Sequence, residues 1–235
     1  MRNLSRRTWR LPVVAVLLAA LLAGCDRGGP ASDLPDGRTL LSESADALDG
    51  VSSMHFALSV EGDRPSNFQI TRAEGAITRE GGVTATAQVL QAGQLVEYEY
   101  VVVDNVPYLK GPTGGFRPVP EAIYSRIFNP TGLLTGERSL PNALRQVTEA
   151  TTEDTETIEG VPTYRITGNL NPARVEGLSL LASGAGGEAT IWVHQENKHL
   201  VRARVPFTIS GQDGETVVTV TLSRFDEPVD IQVPV

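Results

Sequence analysis

The chain has 235 residues, 40% apolar, 6% aromatic and 20% charged, with 23 glycines, 15 prolines and one cysteine. That much apolar material builds a substantial core and excludes a disordered chain, while one cysteine excludes an intramolecular disulfide and a cysteine-based zinc site. A net charge of −8 argues against nucleic acid as a partner, and three histidines leave little for a histidine-rich metal centre.

The chain opens with Arg2, Arg6, Arg7 and Arg10 and no acidic residue, followed by an uncharged apolar run over residues 11–22. That run falls short of the ~20 residues a helix needs to cross a bilayer, and it fits the apolar region of a secretory signal. Small residues then precede the cysteine in Leu22-Ala23-Gly24-Cys25. This resembles the bacterial lipobox, which implies cleavage before Cys25 and a diacylglyceryl group on its thiol. An ordinary signal with a chance cysteine, or an uncleaved anchor, is the alternative. Residues 1–24 are therefore expected to be a lipoprotein signal peptide. The remaining chain carries 16 basic and 28 acidic residues, a net −12. Anionic headgroups repel such a surface, so membrane attachment has to rest on the acyl chains at Cys25, worth ~0.8 kcal/mol per buried CH₂. Residues 25–35, CDRGGPASDLP, read as a flexible tether, and residues 36–235 as one domain.

A short helix is predicted first, with Leu41, Ala45 and Leu48 at i, i+4 and i+7, flanked by Leu40 and Ala47, and Gly50 at the stop position. Strand alternation follows. Met54, Phe56, Leu58 and Val60 share one face, and Phe68 and Ile70 begin another run. Val83, Ala85, Ala87 and Val89 form a third face, and Val96, Tyr98, Tyr100 and Val102 a fourth. A second helix is predicted from Pro120, carrying Ala122, Ile123, Ile127 and Phe128 until Asn129-Pro130 ends it. A third spans 140–147, with Leu140, Leu144 and Val147 on one face and Ser139 as its cap. Residues 151–159, with Glu153, Asp154, Glu156 and Glu159, read as a solvated acidic loop, since they lack the aspartate–glycine pattern of a calcium loop.

Tyr164 and Ile166 resume the strands, and Asn171-Pro172 starts a fourth helix bearing Val175, Leu178 and Leu181. Ile191 and Val193, then Val201, Ala203, Val205, Phe207 and Ile209, then Val218, Val220 and Leu222 complete the set, with a hairpin at Gln212-Asp213-Gly214. Eight or nine amphipathic antiparallel strands with four short helices describe an α+β fold whose helices cover the dry face of a sheet.

Several stretches resemble the LppX/LprA/LprF/LprG family of mycobacterial lipoproteins. They are LLSESADALDGVSSMHFALSV (40–60), VVVDNVPYLK (101–110), IFNPTGLLTGERSLPNAL (127–144), TIEGVPTYRITG, IWVHQENKHLVRARV and VTLSRFDEPVDIQVP, in family order behind the lipobox. The resemblance implies a strongly curved antiparallel half-barrel, LolA/LolB-like, with short helices packed on the concave face around an apolar cavity. It also implies that the cavity binds an acylated lipid, glycolipid or lipoglycan. The protein would carry that lipid across the cell envelope from the extracytoplasmic face of the membrane, with a membrane exporter as a further candidate partner. It implies no cofactor and no enzymatic activity.

On that basis Phe56, Leu58, Ala85, Ala87 and Val89 are expected to line the cavity, with Val96, Tyr98, Tyr100, Ile123 and Ile127. Leu144, Ile166, Leu178, Ile191, Val193, Ala203 and Val205 complete the expected lining. The residues themselves leave two outcomes open. A packed core uses the same apolar set, and only the small Ala85, Ala87, Ala189 and Ala203 favour a void. A non-transport surface lipoprotein serving as an interaction or immune-ligand module is the functional alternative. No hydrolase, metalloprotease, phosphate-loop or dinucleotide motif occurs in the chain. His194 and His199, five apart in HQENKH, read as surface turn residues rather than a metal pair, and His55 as a lone histidine on the polar face of its strand.

Overall fold

The computed structural model describes residues 34–62, 69–120, 130–175, 187–208 and 214–234. The expected signal peptide, Cys25, nearly all of the tether and the helix expected from Pro120, with Ile123 and Ile127, lie outside the described residues. So do Phe68, Leu178 and Ile209. Leu34–Val235 is one compact unit.

Helix α1 spans Gly37–Asp49. The Asp36 carboxylate caps it by accepting from the Thr39 amide at 2.8 Å. Leu40, Leu41, Ala45 and Leu48 form its buried stripe, joined by Ser44. Eleven strands follow among the described residues: β1 Ser53–Gly62, β2 Ile70–Thr78, β3 Val83–Gln91, β4 Gln94–Val103, β5 Val106–Lys110, β6 Arg117–Pro118, β7 Thr148–Ile158, β8 Val161–Asn169, β9 Glu188–His194, β10 Leu200–Thr208 and β11 Glu215–Ser223. A short helix α2, Leu140–Arg145, lies between β6 and β7. The strands form one antiparallel sheet in the order β6-β5-β4-β3-β2-β1-β11-β10-β9-β8-β7. The sheet is not closed, since β6 and β7 remain at its two edges.

Directly paired residues in an antiparallel ladder lie on the same face. One row therefore runs Tyr98–Ala87–Ala73–Leu58–Val220–Ala203–Ile191–Ile166, apolar from β4 to β8, and ends at Thr152 on β7. A neighbouring row runs Tyr100–Ala85–Gly75–Phe56–Leu222. A Cβ on Gly75 would sit 2.1 Å from the Thr84 carbonyl oxygen, so β2 and β3 can crowd together there only because the side chain is absent. Gly168 in β8 has the same function at the other side, where a Cβ would lie 2.6 Å from the Val147 side chain. Helix α1 packs on α2 and also meets β7, β9 and β10. The resulting core takes in α1, α2 and the dry face of the sheet.

Several expectations need correction. Residues 151–159 are not a loop but most of β7 and the turn after it. Their acidity belongs to an edge strand: Glu149, Glu153, Asp154 and Glu156 keep a long ladder edge from pairing with another chain. Two register shifts against β8, with Glu149 at φ 54°, break the alternation that would otherwise mark the strand. The described residues hold eleven strands rather than eight or nine, because the short β5 and β6 also escape the alternation pattern. Of the helix expected from Asn171 the described residues show a 3-10 turn, Pro172–Arg174, with the Asn171 side chain accepting from the Ala173 amide at 3.0 Å, and Leu178 and Leu181 lie outside the described residues. Helix α2 ends at Arg145, and Ser139, though at its N-cap, makes no capping bond.

Polar clasps hold the rim where α1 enters β1. The Arg79 guanidinium donates to the Val51 carbonyl at 2.6 Å and to the Leu48 carbonyl at 2.8 Å, which also accepts from the Val51 amide at 3.1 Å, so one side chain ties the end of α1 and the turn after it to the end of β2. The Asp226 carboxylate accepts from the Ser52 amide at 2.7 Å and its hydroxyl at 2.8 Å, which hold its carboxyl below the usual carboxylate range. His199, stacked on Phe225 at 4.1 Å, is pushed below its ordinary value by burial, against the opposing pull of Asp226.

Replacing Arg79 by methionine should cost about 1.5–3 kcal/mol, the range for hydrogen bonds to a charged donor, read as a lower urea midpoint at unchanged slope. Both depressed groups act in the same direction on acidification. Their stabilisation is complete above the unfolded values, 6.5 for His199 and 3.8 for Asp226, and is lost as pH falls through the lower folded values. The melting temperature should therefore begin to fall below about pH 6.5. In His199→Phe, which keeps a ring against Phe225, the decline should start only in the carboxylate range.

Candidate functional site

The concave face divides into two wings of different character. On β1 and β8–β11 it is tightly covered. Ile166, Ile191, Val193 and Val218 are fully buried, and Phe56, Leu58, Val205 and Phe207 nearly so. On β3 and β4 the same face is only half-covered: Ala85, Ala87, Val89, Val96 and Tyr98 are all half-buried, and only Val83, Tyr100 and Val102, toward the far end, are closed off. Among the described residues the cover is uneven. Helix α1, with α2 packed on it, meets β7, β9 and β10, whereas the 3-10 turn Pro130–Leu133 reaches across to β2.

Between the covered wing and α2 lies an apolar cavity of ≈ 50 Å³. Its walls come from Phe56, Leu58, Val218, Val220, Ala203, Val205 and Ile191 on the sheet. Leu200 at the start of β10, Leu133, Leu140, Ala143 and Leu144 above it, and Leu170 and Val175 around the second 3-10 turn close it. Ala203 on β10 and Ala143 on α2 are the small side chains in this wall, and their missing volume leaves the gap. At roughly 30 Å³ of liquid volume per water, the space equals one or two water molecules, with an almost wholly carbon lining.

The structure thus brings together six of the expected residues around this cavity, Phe56, Leu58, Leu144, Ile191, Ala203 and Val205. Ile166 and Val193 lie in the packed core nearby but do not reach it. Ala85, Ala87, Val89, Val96 and Tyr98 form a half-buried apolar strip, or trough, on the other wing, ending at the buried Tyr100; Val89 pairs with Val96, Ala87 with Tyr98 and Ala85 with Tyr100. The Tyr98 hydroxyl closes one side of that trough by donating to the Gln91 side chain at 3.3 Å. Leu133, Leu140, Ala143, Leu170, Val175, Leu200, Val218 and Val220 line the cavity but fall outside the expected set. Val218 and Val220 on their alternating apolar strand face, and Leu140 and Val175 on predicted helix faces, carry the same periodic signal as the residues expected, and Ala143 is small and one position from the inward-facing Leu144, whereas Leu133, Leu170 and Leu200 stand outside any such pattern.

Away from the concave face the polar side chains serve the fold. Glu156 accepts from the Trp192 indole at 2.8 Å, Glu159 pairs with Arg202, and the His194 ring accepts from the Glu196 amide at 3.0 Å within the β9–β10 turn. Among the described residues no group of three histidine, cysteine, aspartate or glutamate side chains is placed to hold a metal. The chemistry this face offers is dispersion and water exclusion, which suits alkyl chains.

Known proteins share this arrangement. LprF from Mycobacterium bovis superposes with a TM-score of 0.68 at 24% identity, covering 84% of this chain and 96% of that one. LppX from Mycobacterium tuberculosis gives 0.59 at 25% identity, covering 83% and 98%. Among curated proteins, the lipoarabinomannan carrier protein LprG of Mycolicibacterium hassiacum is 32% identical across 92% of each chain. Its counterpart in Mycobacteroides abscessus is 29% identical across 97% of this chain and 99% of that one. The family model described as LppX_LprAFG lipoprotein matches residues 36–231, almost all of the sheet and its cover. The open antiparallel half-barrel, with its apolar concave face, belongs to the LppX_LprAFG lipoprotein family, of which this chain is a member.

Proposed function

We propose that this protein is a membrane-anchored lipid carrier, holding the acyl chains of a glycolipid or lipoglycan against its concave face and moving them across the cell envelope. The observation that carries the reading is the inner row running apolar across eight strands, with alanines at Ala87, Ala73 and Ala203. Each CH₂ placed on such a surface is worth about 0.8 kcal/mol, so one long acyl chain supplies enough to hold a lipid out of water. The names of the curated relatives, carriers of lipoarabinomannan, support a lipoglycan as the cargo class.

The wings divide the work. Alkyl chains lie first in the half-covered trough on β3 and β4, and the small cavity under α2 widens when the short helix and the turn before it shift outward. Acylation at Cys25 keeps the domain at the extracytoplasmic leaflet, so a lipid made on the inner side reaches it through an exporter. A second reading, a surface lipoprotein that binds a protein partner and carries no lipid, draws on the same cavity, since ≈ 50 Å³ accommodates no acyl chain without movement.

The deciding experiment is native mass spectrometry, with organic extraction, of the full chain carrying Cys25→Ser, purified from a host that makes acylated glycolipids. One acylated lipid per chain is expected. Empty protein that also refuses lipid from detergent micelles overturns the carrier and leaves the second reading. Replacing Ala87 by tryptophan fills the trough at a half-exposed position. It should lower bound lipid by about tenfold while changing stability by less than about 1 kcal/mol, measured by micelle titration beside a urea melt.

A further inference from the structure

Among the described residues the sheet has three two-residue hairpins whose central residues both have positive φ, and one of them differs from the others. Asp104-Asn105 joins β4 to β5 and Glu159-Gly160 joins β7 to β8, each placing a carboxylate at its tip. The β3–β4 turn is Ala92-Gly93, with φ 49° and 80°. Turns of this kind favour asparagine or aspartate at the first position, because alanine gains nothing there to offset the left-handed backbone. The local structure therefore works against alanine, and the tip is apolar all the same.

Its surroundings agree. The sixteen residues from Gly81 to Val96 carry no charge, in a chain that is 20% charged. On the outer face of the tip Leu90 pairs with Leu95, and Leu95 is 62% exposed, more than any other large apolar side chain among the described residues. On the inner face Val89 pairs with both Val96 and Ile70 at the first rung of the apolar trough. A lone exposed leucine needs no explanation. A charge-free tip with one apolar rung on each face, Leu90–Leu95 and Val89–Val96, built on a disfavoured alanine and continuous with the trough, does.

We propose that this β3–β4 tip is the part of the protein that enters a lipid bilayer, so that alkyl chains pass from the membrane along Val89 and Val96 onto the concave face. The tip requires no desolvation of charge when it enters the acyl region, which the two carboxylate-bearing hairpins would. Leu90, Leu95 and Ala92 contribute the apolar area that stays buried there. Gln91 and Gln94, the rung between the turn and the Leu90–Leu95 pair, are polar but uncharged, so they enter ahead of the leucines without desolvation of a charge. The route rests on the carrier reading, but the insertion itself does not.

The test uses the full chain carrying Cys25→Ser, with one environment-sensitive fluorophore attached through Leu95→Cys or, separately, through Val106→Cys. Val106 is 39% exposed and lies at the opposite end of the sheet, beside the β4–β5 turn. With phosphatidylcholine vesicles, the label at 95 should shift to the blue and become several-fold less accessible to iodide, while the label at 106 stays as in buffer. Equal accessibility at both positions overturns the proposal, as does shielding at 95 that follows protein concentration without vesicles, which would mark contact between copies of the chain. In a second arm, Leu95→Asp should slow uptake of a fluorescent diacyl lipid from vesicles by about tenfold, with final loading from detergent micelles unchanged. An unchanged vesicle rate overturns the proposal. Absence of loading from micelles even in the parent chain defeats the carrier reading instead, and the shielding at position 95 still decides whether the tip inserts.

Discussion

An eleven-stranded sheet with one dry face must have that face covered, and the described residues provide few helical turns to do it. Curvature supplies part of the cover, because a sheet that bends lets its own inner residues approach one another across the concavity. Gly75 and Gly168 permit that bend by removing side chains where adjacent backbones crowd. Helix α1, 13 residues long, and the short α2 then cover what they can reach, which is the β7–β10 side. Among the described residues, the packed wing is the one these two helices reach.

Alternation of apolar and polar residues makes much of the sheet legible in the amino-acid order alone. Met54, Phe56, Leu58 and Val60 all point inward on β1, and the two runs 83–89 and 96–102 pair register for register, Val83 with Val102 and Val89 with Val96. Periodicity reports which side of a strand is dry. It does not report what lies opposite. The cavity residues Leu170 and Leu200 sit where strands end or begin, so no period marks them. Strand β7 is hidden because an edge strand is selected for charge on its exposed side, and its two register shifts break the remaining alternation.

The polar clasps are illegible for another reason. Asp226 and Ser52 are 174 residues apart, and Arg79 reaches back to the end of α1 across 31. Each is an ordinary exposed residue type in a loop, with nothing local to set it apart. Their value comes from carbonyl and amide groups at the end of α1 and the start of β1, whose positions are visible only once those elements are placed. Ser139 shows the converse: a good local capping signal that the folded chain does not use.

Packing density is where stability and cargo binding pull in opposite directions. A wing packed to core density, as around Ile166, Ile191 and Val193, gains from burial at about 25 cal/mol per Å² and has nothing left to offer a ligand. A wing that keeps Ala85, Ala87, Val89 and Val96 half-exposed forgoes part of that gain, and the forgone part is the free energy available to an alkyl chain that later covers it. A carrier needs both, since a fully open face would not fold and a fully packed one would not load. Placing them side by side on one continuous sheet lets the packed wing fix the register of the strands that line the open one. The shared rows of paired residues, crossing from Tyr98 to Ile166 without a polar interruption, are the physical link between the two.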